Sequence, residues 1–418
     1  MRRIAPSEKM EKELFEQILT SGDPLGEAAR NGAQLILQKA LEMEVDSFLG
    51  RTRYERIPGE PIVGLRNGYE PKTVHMAEGS IKLQVPQVRG NIEVFESVWL
   101  QSINKRSKRL MELVPMLYVK GMSQRDIENA LIDALDVKQT GKSVITEICK
   151  SLHGDFQKWQ SRSLKDESIL YLFLDGIYLK MGKDEKKPVA ALGAYGIRWD
   201  GKKVLLHLAV GSKESEICWE TFLEDMKNRG LAEPLLTIID GNKGLKKAVK
   251  KKFPNSLIQR CQVHKMRNIL CKLPESARAG IQKLIQKAFT SDQYEKGLER
   301  AQAIIKEYED RFPEAMKCLK DDLEDCLTAL KFPYAHRKQI RTTNLLERLF
   351  GEGKRRSKII PRFPSESSGM SLLFAVLVDA SEGWRGVKMK SFVVERLKQM
   401  QIDPLSKWDD PDLKKIAA

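Results

Sequence analysis

The chain lacks the marks of a secreted or membrane protein. Its six cysteines (Cys149, Cys218, Cys261, Cys271, Cys318 and Cys326) include no CxxC pair, and a chain of 418 residues has no need of disulfide staples. Both points favour a reducing compartment. No apolar run reaches the roughly 20 residues of a membrane span. The start, MRRIAPSEKMEKELFEQIL, carries charge but no apolar h-region, so it does not read as a signal peptide. There is no internal repeat and no low-complexity tract. A soluble, cytoplasmic protein with no membrane partner is expected.

Positive charge is what the chain has in excess. Lys and Arg number 72 against 57 Asp and Glu, for a net charge of +15 and a pI near 9.3. A folded protein this basic favours a polyanionic partner, with nucleic acid first, although charge alone also suits a protein that is merely soluble. Hydrophobic residues make up 41% of the chain, enough for a core, and the length suggests two to four domains.

Six regions follow along the chain. Residues 1–50 read as helical, with Leu35, Ile36, Ala40, Leu41, Val45 and Leu49 at helical spacing. Residues 51–105 read as a small β-rich region. Pro58, Pro61, Pro71 and Pro86 punctuate the alternating runs SIKLQVPQV and NIEVFESVW, and Asn67-Gly68 is a hairpin signal. Residues 106–165 return to helix. A stop at Lys120-Gly121, a cap at Ser123 with Asp126 three residues on, and a third helix after Thr140-Gly141 suit a helix-turn-helix, with Arg125 and Lys142 as DNA contacts. An ordinary helical hairpin has the same pattern.

Residues 166–264 are α/β. ILYLFLDGIYLK, PVAALGAYGIRW and KVLLHLAVG read as three strands in a meander, the second turn falling at Asp200-Gly201. The amphipathic helix ESEICWETFLEDMKNRG, the apolar strand PLLTIIDG, the basic helix GLKKAVKKKFP and the strand LIQRCQVH follow. That order suits an RNase H-like fold with a mixed five-stranded sheet. Residues 265–341 contain no convincing strand and read as an all-helical insertion broken at Pro274 and Pro313. Residues 342–418 open on a basic helix and continue into an apolar one at Met370–Ala380.

The candidate chemistry lies in three carboxylates. Asp175 falls at the end of the first of these strands and Asp240 at the end of the fourth. In an RNase H-like sheet those strands are neighbours, so both side chains emerge at one edge. Two divalent ions roughly 4 Å apart need hard oxygen ligands, which carboxylates provide. Glu347, in the first turn of the basic helix, supplies a third. Each residue also has a bland explanation. Asp175-Gly176 between apolar residues suits a hairpin, Asp240-Gly241-Asn242 suits a turn, and Asn344-Leu-Leu-Glu347 has helix-cap spacing. Glu352 and Glu366 compete for the third place. Glu352 points to the other side of the helix, and Glu366 follows the helix-breaking Pro361 and Pro364.

Several stretches carry a resemblance: GLRNGYEPKT, YLFLDGIYL, KESEICWETFLEDMKNRGL, IIDGNKGL, QRCQVHKMRN and RTTNLLERLFGEGKRRSKIIPRFPSE. Together they resemble the bacterial insertion-sequence transposases of the Mutator type, in the DDE transposase superfamily. The likeness covers nearly the whole chain. It implies an RNase H-like catalytic domain with a helical insertion, the triad Asp175, Asp240 and Glu347, and two Mg²⁺ ions for which Mn²⁺ substitutes. It also implies hydrolysis at terminal inverted repeats, strand transfer into target DNA, and a homodimer or larger assembly holding two ends. Asn242-Lys243 departs from the smaller residues of the pattern, at no ligand position. Cys261-Gln-Val-His264 matches the family's Cys-x-x-His signature near the active site; a zinc knuckle with Cys271 is the alternative, short of a fourth ligand. Lys354, two helical turns after Glu347, matches a basic DNA contact, and Arg355, Arg356 and Lys358 extend that surface. The functional alternatives are an RNase H-like nuclease without strand transfer and a non-catalytic DNA-binding regulator.

Overall fold

The computed structural model describes residues 4–55, 64–76, 79–90, 95–102, 116–117, 122, 126–127, 152–179, 189–211, 213–359 and 366–403. The chain divides into two compact units, Met1–Lys150 and Ser151–Ala418.

In the first unit, α1 (Pro6–Thr20) and α2 (Pro24–Leu49) precede a hairpin of β1 (Leu65–Met76) and β2 (Gly79–Arg89). Alternation in β2 places Ile81, Leu83 and Val85 in a core with Leu41 of α2 and Val74 of β1. Gln38 of α2 bonds both backbone groups of Gln84, which fixes the helix on the strand. Two expectations change here. Asn67-Gly68 does not turn the chain but forms a bulge inside β1, where the register shifts between Arg66 and Tyr69 and Gly68 takes φ 87°. That conformation favours Gly and serves a bulge as well as a turn. The run expected as a strand near NIEVFESVW instead ends in a short helix, α3 (Val98–Ser102). The Glu44 carboxylate accepts from the Val98 and Trp99 N–H groups, and Ser97 Oγ accepts from Leu100 N–H. A cap supplied by α2 thus overrides the local alternation. Most of the helix-turn-helix candidate at 107–150 lies outside the described residues.

The second unit opens on α4 (residues 152–160). Then come β3 (Ile169–Leu179), β4 (Val189–Arg198) and β5 (Lys203–Gly211). Helix α5 (Glu216–Asn228), strand β6 (Leu236–Ile239), helix α6 (Lys243–Lys252) and strand β7 (Leu257–Arg260) follow. The sheet order is β5-β4-β3-β6-β7, with β3–β4 and β4–β5 antiparallel and β3–β6 and β6–β7 parallel. One face of β3, through Leu172 and Leu174, packs on Trp219, Phe222, Leu223 and Met226 of α5 and on Leu245 and Val249 of α6. The other face carries aromatic rings: Phe173 stacks on Tyr195 at 4.3 Å, and the Tyr171 hydroxyl meets His336 Nδ1 at 2.8 Å in a fully buried contact.

Residues 262–340 are helical throughout their regular elements. They comprise α7 (Gln262–Leu270), α8 (Glu275–Phe289), α9 (Tyr294–Tyr308), α10 (Pro313–Lys320), α11 (Leu323–Leu327), a 3-10 turn at Thr328–Lys331 and α12 (Tyr334–Ile340). Their apolar faces make a second core around Ile281, Ile285, Ala301, Met316 and Leu327. The chain then returns to the sheet with α13 (Asn344–Ile359), followed by α14 (Glu366–Glu382) and α15 (Ser391–Ile402). Helix α15 adds to the two helices expected after residue 342.

Candidate active site

Asp175 sits in mid-strand, not at a strand end. Strand β3 runs on to Leu179, and Asp175 pairs with Gly193 of β4. The Asp-Gly pair therefore makes no hairpin turn. Parallel pairing with β6 stops at Phe173–Ile238, so Asp175 lies just beyond the paired stretch. The side chain is 5% exposed, and its Oδ1 accepts from the Gly176 N–H at 2.9 Å.

Asp240 follows the last residue of β6 directly. A tight turn holds it there. Gly241 has φ 98°, and any Cβ at that position would strike the Arg260 guanidinium. Arg260 in turn donates to the Gly241 carbonyl at 3.1 Å. Asn242 caps α6 through Gly244 and Leu245, and its own N–H donates to Asp240 Oδ1 at 2.9 Å.

Glu347 belongs to the first turn of α13. The helix begins at Asn344, so Thr343 is its N-cap and Glu347 lies one position beyond the N3 of a capping box. The Thr343 N–H goes instead to Cys261 Sγ at 3.4 Å, while the Thr343 hydroxyl donates to Glu347 Oε1 at 3.3 Å. The Gln262 N–H donates to the Arg341 carbonyl at 3.0 Å, and the Cys261 N–H to the Ile239 carbonyl at 2.7 Å. The bonds of Arg341 and Thr343 join segments about eighty residues apart, and with the Cys261–Ile239 bond they bring the start of α13 beside the ends of β6 and β7. Phe350, one turn after Glu347, fills the space left by Gly193, where a Cβ would come within 2.5 Å of the ring. A residue without a side chain on β4 thus seats this helix on the sheet.

The electrostatics tie the three acids together. Burial first, and then the charge of Asp240, push the Asp175 carboxyl up to about 8, with Glu347 adding in the same direction. His264, on α7, lies 3.6 Å from Glu347 Oε1. The hydrogen bond to Cys261, aided by the charges of Glu347 and Asp175, pushes His264 up to about 9 against its burial. Burial raises the Cys261 thiol, but bonds from His264 and Thr343 outweigh it and leave the thiol below its ordinary value. These contacts favour the charged form of His264 beside Glu347.

The ligand atoms of Cys261, His264 and Glu347 lie within 4.8 Å of one another, the one such group of three among the described residues. Asp175 and Asp240 are not in that group, so the Glu347 carboxylate is turned toward His264. Cys271 is exposed and outside it, which leaves the Cys271 zinc knuckle without its third ligand.

Lys354 and Arg355 are exposed on α13, and Arg355 pairs with Glu352. Arg356 and Lys358 lie in the same helix, but their side chains are outside the described residues, as are Arg125 and Lys142 altogether. The basic helix α6 is largely neutralised. Lys247 and Lys251 pair with Glu216 and Glu220, Lys252 with Glu224, and Lys246 with Asp322 and Asp325. One participant had no sequence signal: Glu214 just before α5. Gly176 carries no Cβ to meet the Glu214 carboxylate.

The class is thus a mixed α/β protein in which an aspartate just past one strand and a helix-borne glutamate both act on an aspartate of the neighbouring strand. The chain belongs to the Mutator family of transposases, whose model matches residues 7–386. It is similar to the transposase for insertion sequence element IS256 in transposon Tn4001 of Staphylococcus aureus, 29% identical over 86% of this chain and 91% of the relative. It is also similar to the transposase for insertion sequence element ISRM5 of Rhizobium meliloti, 30% identical over 88% and 90%. A third relative is the transposase for IS6120 of Mycolicibacterium smegmatis, 31% identical over 68% and 88%. No helix among the described residues is long and apolar enough to cross a membrane.

Proposed function

We propose that this chain is a DNA transposase whose second unit is RNase H-like, with Asp175, Asp240 and Glu347 as the carboxylates of a two-metal centre. Membership of the Mutator family supports the activity. The sheet order, with Asp175 on β3 and Asp240 directly after the neighbouring parallel strand β6, supports the fold assignment. The observation that carries the site is the crowding of acids at Asp175, which burial, Asp240 and Glu347 all push toward its neutral form. Its hard oxygen donors suit Mg²⁺ or Mn²⁺.

When bound, the ions supply Lewis acidity for attack by water or a 3′-hydroxyl at phosphorus. The protein's part is positional. The rigid strand and the Gly241 turn hold the two aspartates, and the Cys261, His264 and Thr343 contacts hold Glu347 at the start of α13. Lys354 and Arg355, further along the same helix, are suited to DNA phosphates. The helical stretch 265–341 is read as an insertion between the second Asp and the Glu. The N-terminal 165 residues are read as the part that binds terminal inverted repeats, and a dimer or larger assembly would hold two ends together.

The test uses a pre-cut end in a strand-transfer assay with Mg²⁺. The wild-type chain should join that end to target DNA, whereas Asp175→Asn and Asp240→Asn should neither cleave nor join yet still bind ends. Mg²⁺-dependent nicking by either variant would overturn the assignment. Cleavage without joining by the wild type would favour the nuclease reading.

A further inference from the structure

Glu214 lies outside the triad, yet the fold directs it to the same place. It immediately precedes Ser215, the N-cap of α5, and its N–H reaches Tyr178 Oη at 3.5 Å. Asn242 Nδ2 donates to the Glu214 carbonyl at 3.0 Å, while the Asn242 N–H holds Asp240 Oδ1. One asparagine therefore links Asp240 to Glu214, which gives a purpose to the residue that departs from the family pattern. The Glu214 carboxylate lies over the backbone of Gly176, the residue after Asp175. A Cβ there would come within 2.7 Å of Oε1 and 2.9 Å of Cδ, and its three closest neighbours are all Glu214 side-chain atoms. The strand thus has no side chain at the point where this carboxylate rests. Burial first, then the negative charge of Asp240, push its pKa upward, while Asn242 and His264 oppose. A surface glutamate facing solvent would feel neither Asp240 nor burial to this degree.

We propose that Glu214 is a fourth carboxylate of the catalytic centre, helping to hold the divalent ion at the Asp175–Asp240 pair. This rests on the two-metal reading above. Its carboxylate rests over the residue after Asp175, with its backbone carbonyl held by Asn242 of the Asp240 turn, and so adds an oxygen donor beside the pair. The carboxylate reaches the ion directly or through one bound water.

The experiment titrates Mn²⁺ into the full-length protein without DNA, with binding followed calorimetrically and free Mn²⁺ by electron paramagnetic resonance. Thermal unfolding confirms that each variant is folded. Glu214→Gln should weaken Mn²⁺ binding about tenfold or more. Gly176→Ala is a second route to the same end, because its methyl group displaces the Glu214 side chain and leaves the carboxylate chemically intact. It should weaken binding in the wild-type background and add nothing to Glu214→Gln. Asp175→Asn and Asp240→Asn serve as references. If these two lose Mn²⁺ while Glu214→Gln and Gly176→Ala bind as the wild type does, Glu214 is no ligand and the proposal falls alone. If the two Asp variants also bind as the wild type does, the two-metal reading falls and takes this proposal with it.

Discussion

Replacing Asp175 by Asn should stabilise the metal-free protein, even though it abolishes activity. The side chain is 5% exposed, and burial followed by the charge of Asp240 pushes its pKa up to about 8. In an unfolded chain an aspartate titrates near 3.9. Below about pH 4 both states hold the proton, and the group has no effect on the balance. Between about pH 4 and 8 the unfolded chain releases the proton while the native carboxyl keeps it. Stability therefore falls as pH rises, by about 1.4 kcal/mol per pH unit. At pH 7 that window is roughly 3 pH units wide, which sets a ceiling of about 4 kcal/mol. Asn keeps the shape and removes the ionisation. With about 2–4 °C of melting temperature per kcal/mol for domains of this size, the variant should melt several degrees higher at pH 7–8. The difference should vanish toward pH 4. His264, pushed up to about 9 through Cys261, works with the same sign: its contribution is full below about pH 6.5 and is lost as pH rises through 9. Removing the Asp175 charge trims that contribution slightly. Scanning fluorimetry from pH 4 to 9, with and without Mg²⁺, measures all of this. Mg²⁺ should raise the wild-type midpoint at pH 8 and leave the variant nearly unmoved. A metal-free Asp175→Asn protein that melts at or below the wild-type temperature at pH 8 would refute the reasoning.

Three further outcomes are expected. Glu347→Gln should eliminate strand transfer while Glu352→Gln and Glu366→Gln keep most of it; a near-silent Glu347→Gln would return that residue to a structural role. Gly193→Ala should overpack against Phe350, cost roughly 1–3 kcal/mol by thermal melting, and lower strand transfer by shifting α13; unchanged activity would mean that the seat of α13 on β4 does not set Glu347. Changing both Lys354 and Arg355 to Ala should reduce the slope of log affinity against log salt for end DNA by about 2, and an unchanged slope would remove α13 from the DNA surface.

Much of the fold could be read from the chain alone, because it rests on local periodicity. Alternation in SIKLQVPQV, the apolar run PLLTIIDG and the helical spacing of 265–341 each specify their own element, and the sequence of elements limits the sheet to few topologies. Asp175, Asp240 and Glu347 could be singled out from the chain too, because each stands beside a local strand, turn or helix-start signal. Contacts distant in sequence decided the rest. The Asn67-Gly68 pair encodes positive φ, which a turn and a bulge both use, and the pairing partner chose the bulge. The run ending at Trp99 became helix because Glu44 of α2 capped it. The basic helix α6 is largely neutralised because α5 and the 322–325 segment supply carboxylates for its Lys residues. Asp175 lies within a strand because β4 continues alongside it, and Glu347 faces His264 because bonds from residues 261 and 262 draw in the start of α13. Glu214 has no pattern of its own, since only the missing side chain at Gly176 and the reach of Asn242 bring it to the site. A periodicity needs one segment to express itself, whereas a site needs several to meet, and that meeting is fixed by packing that no single segment encodes.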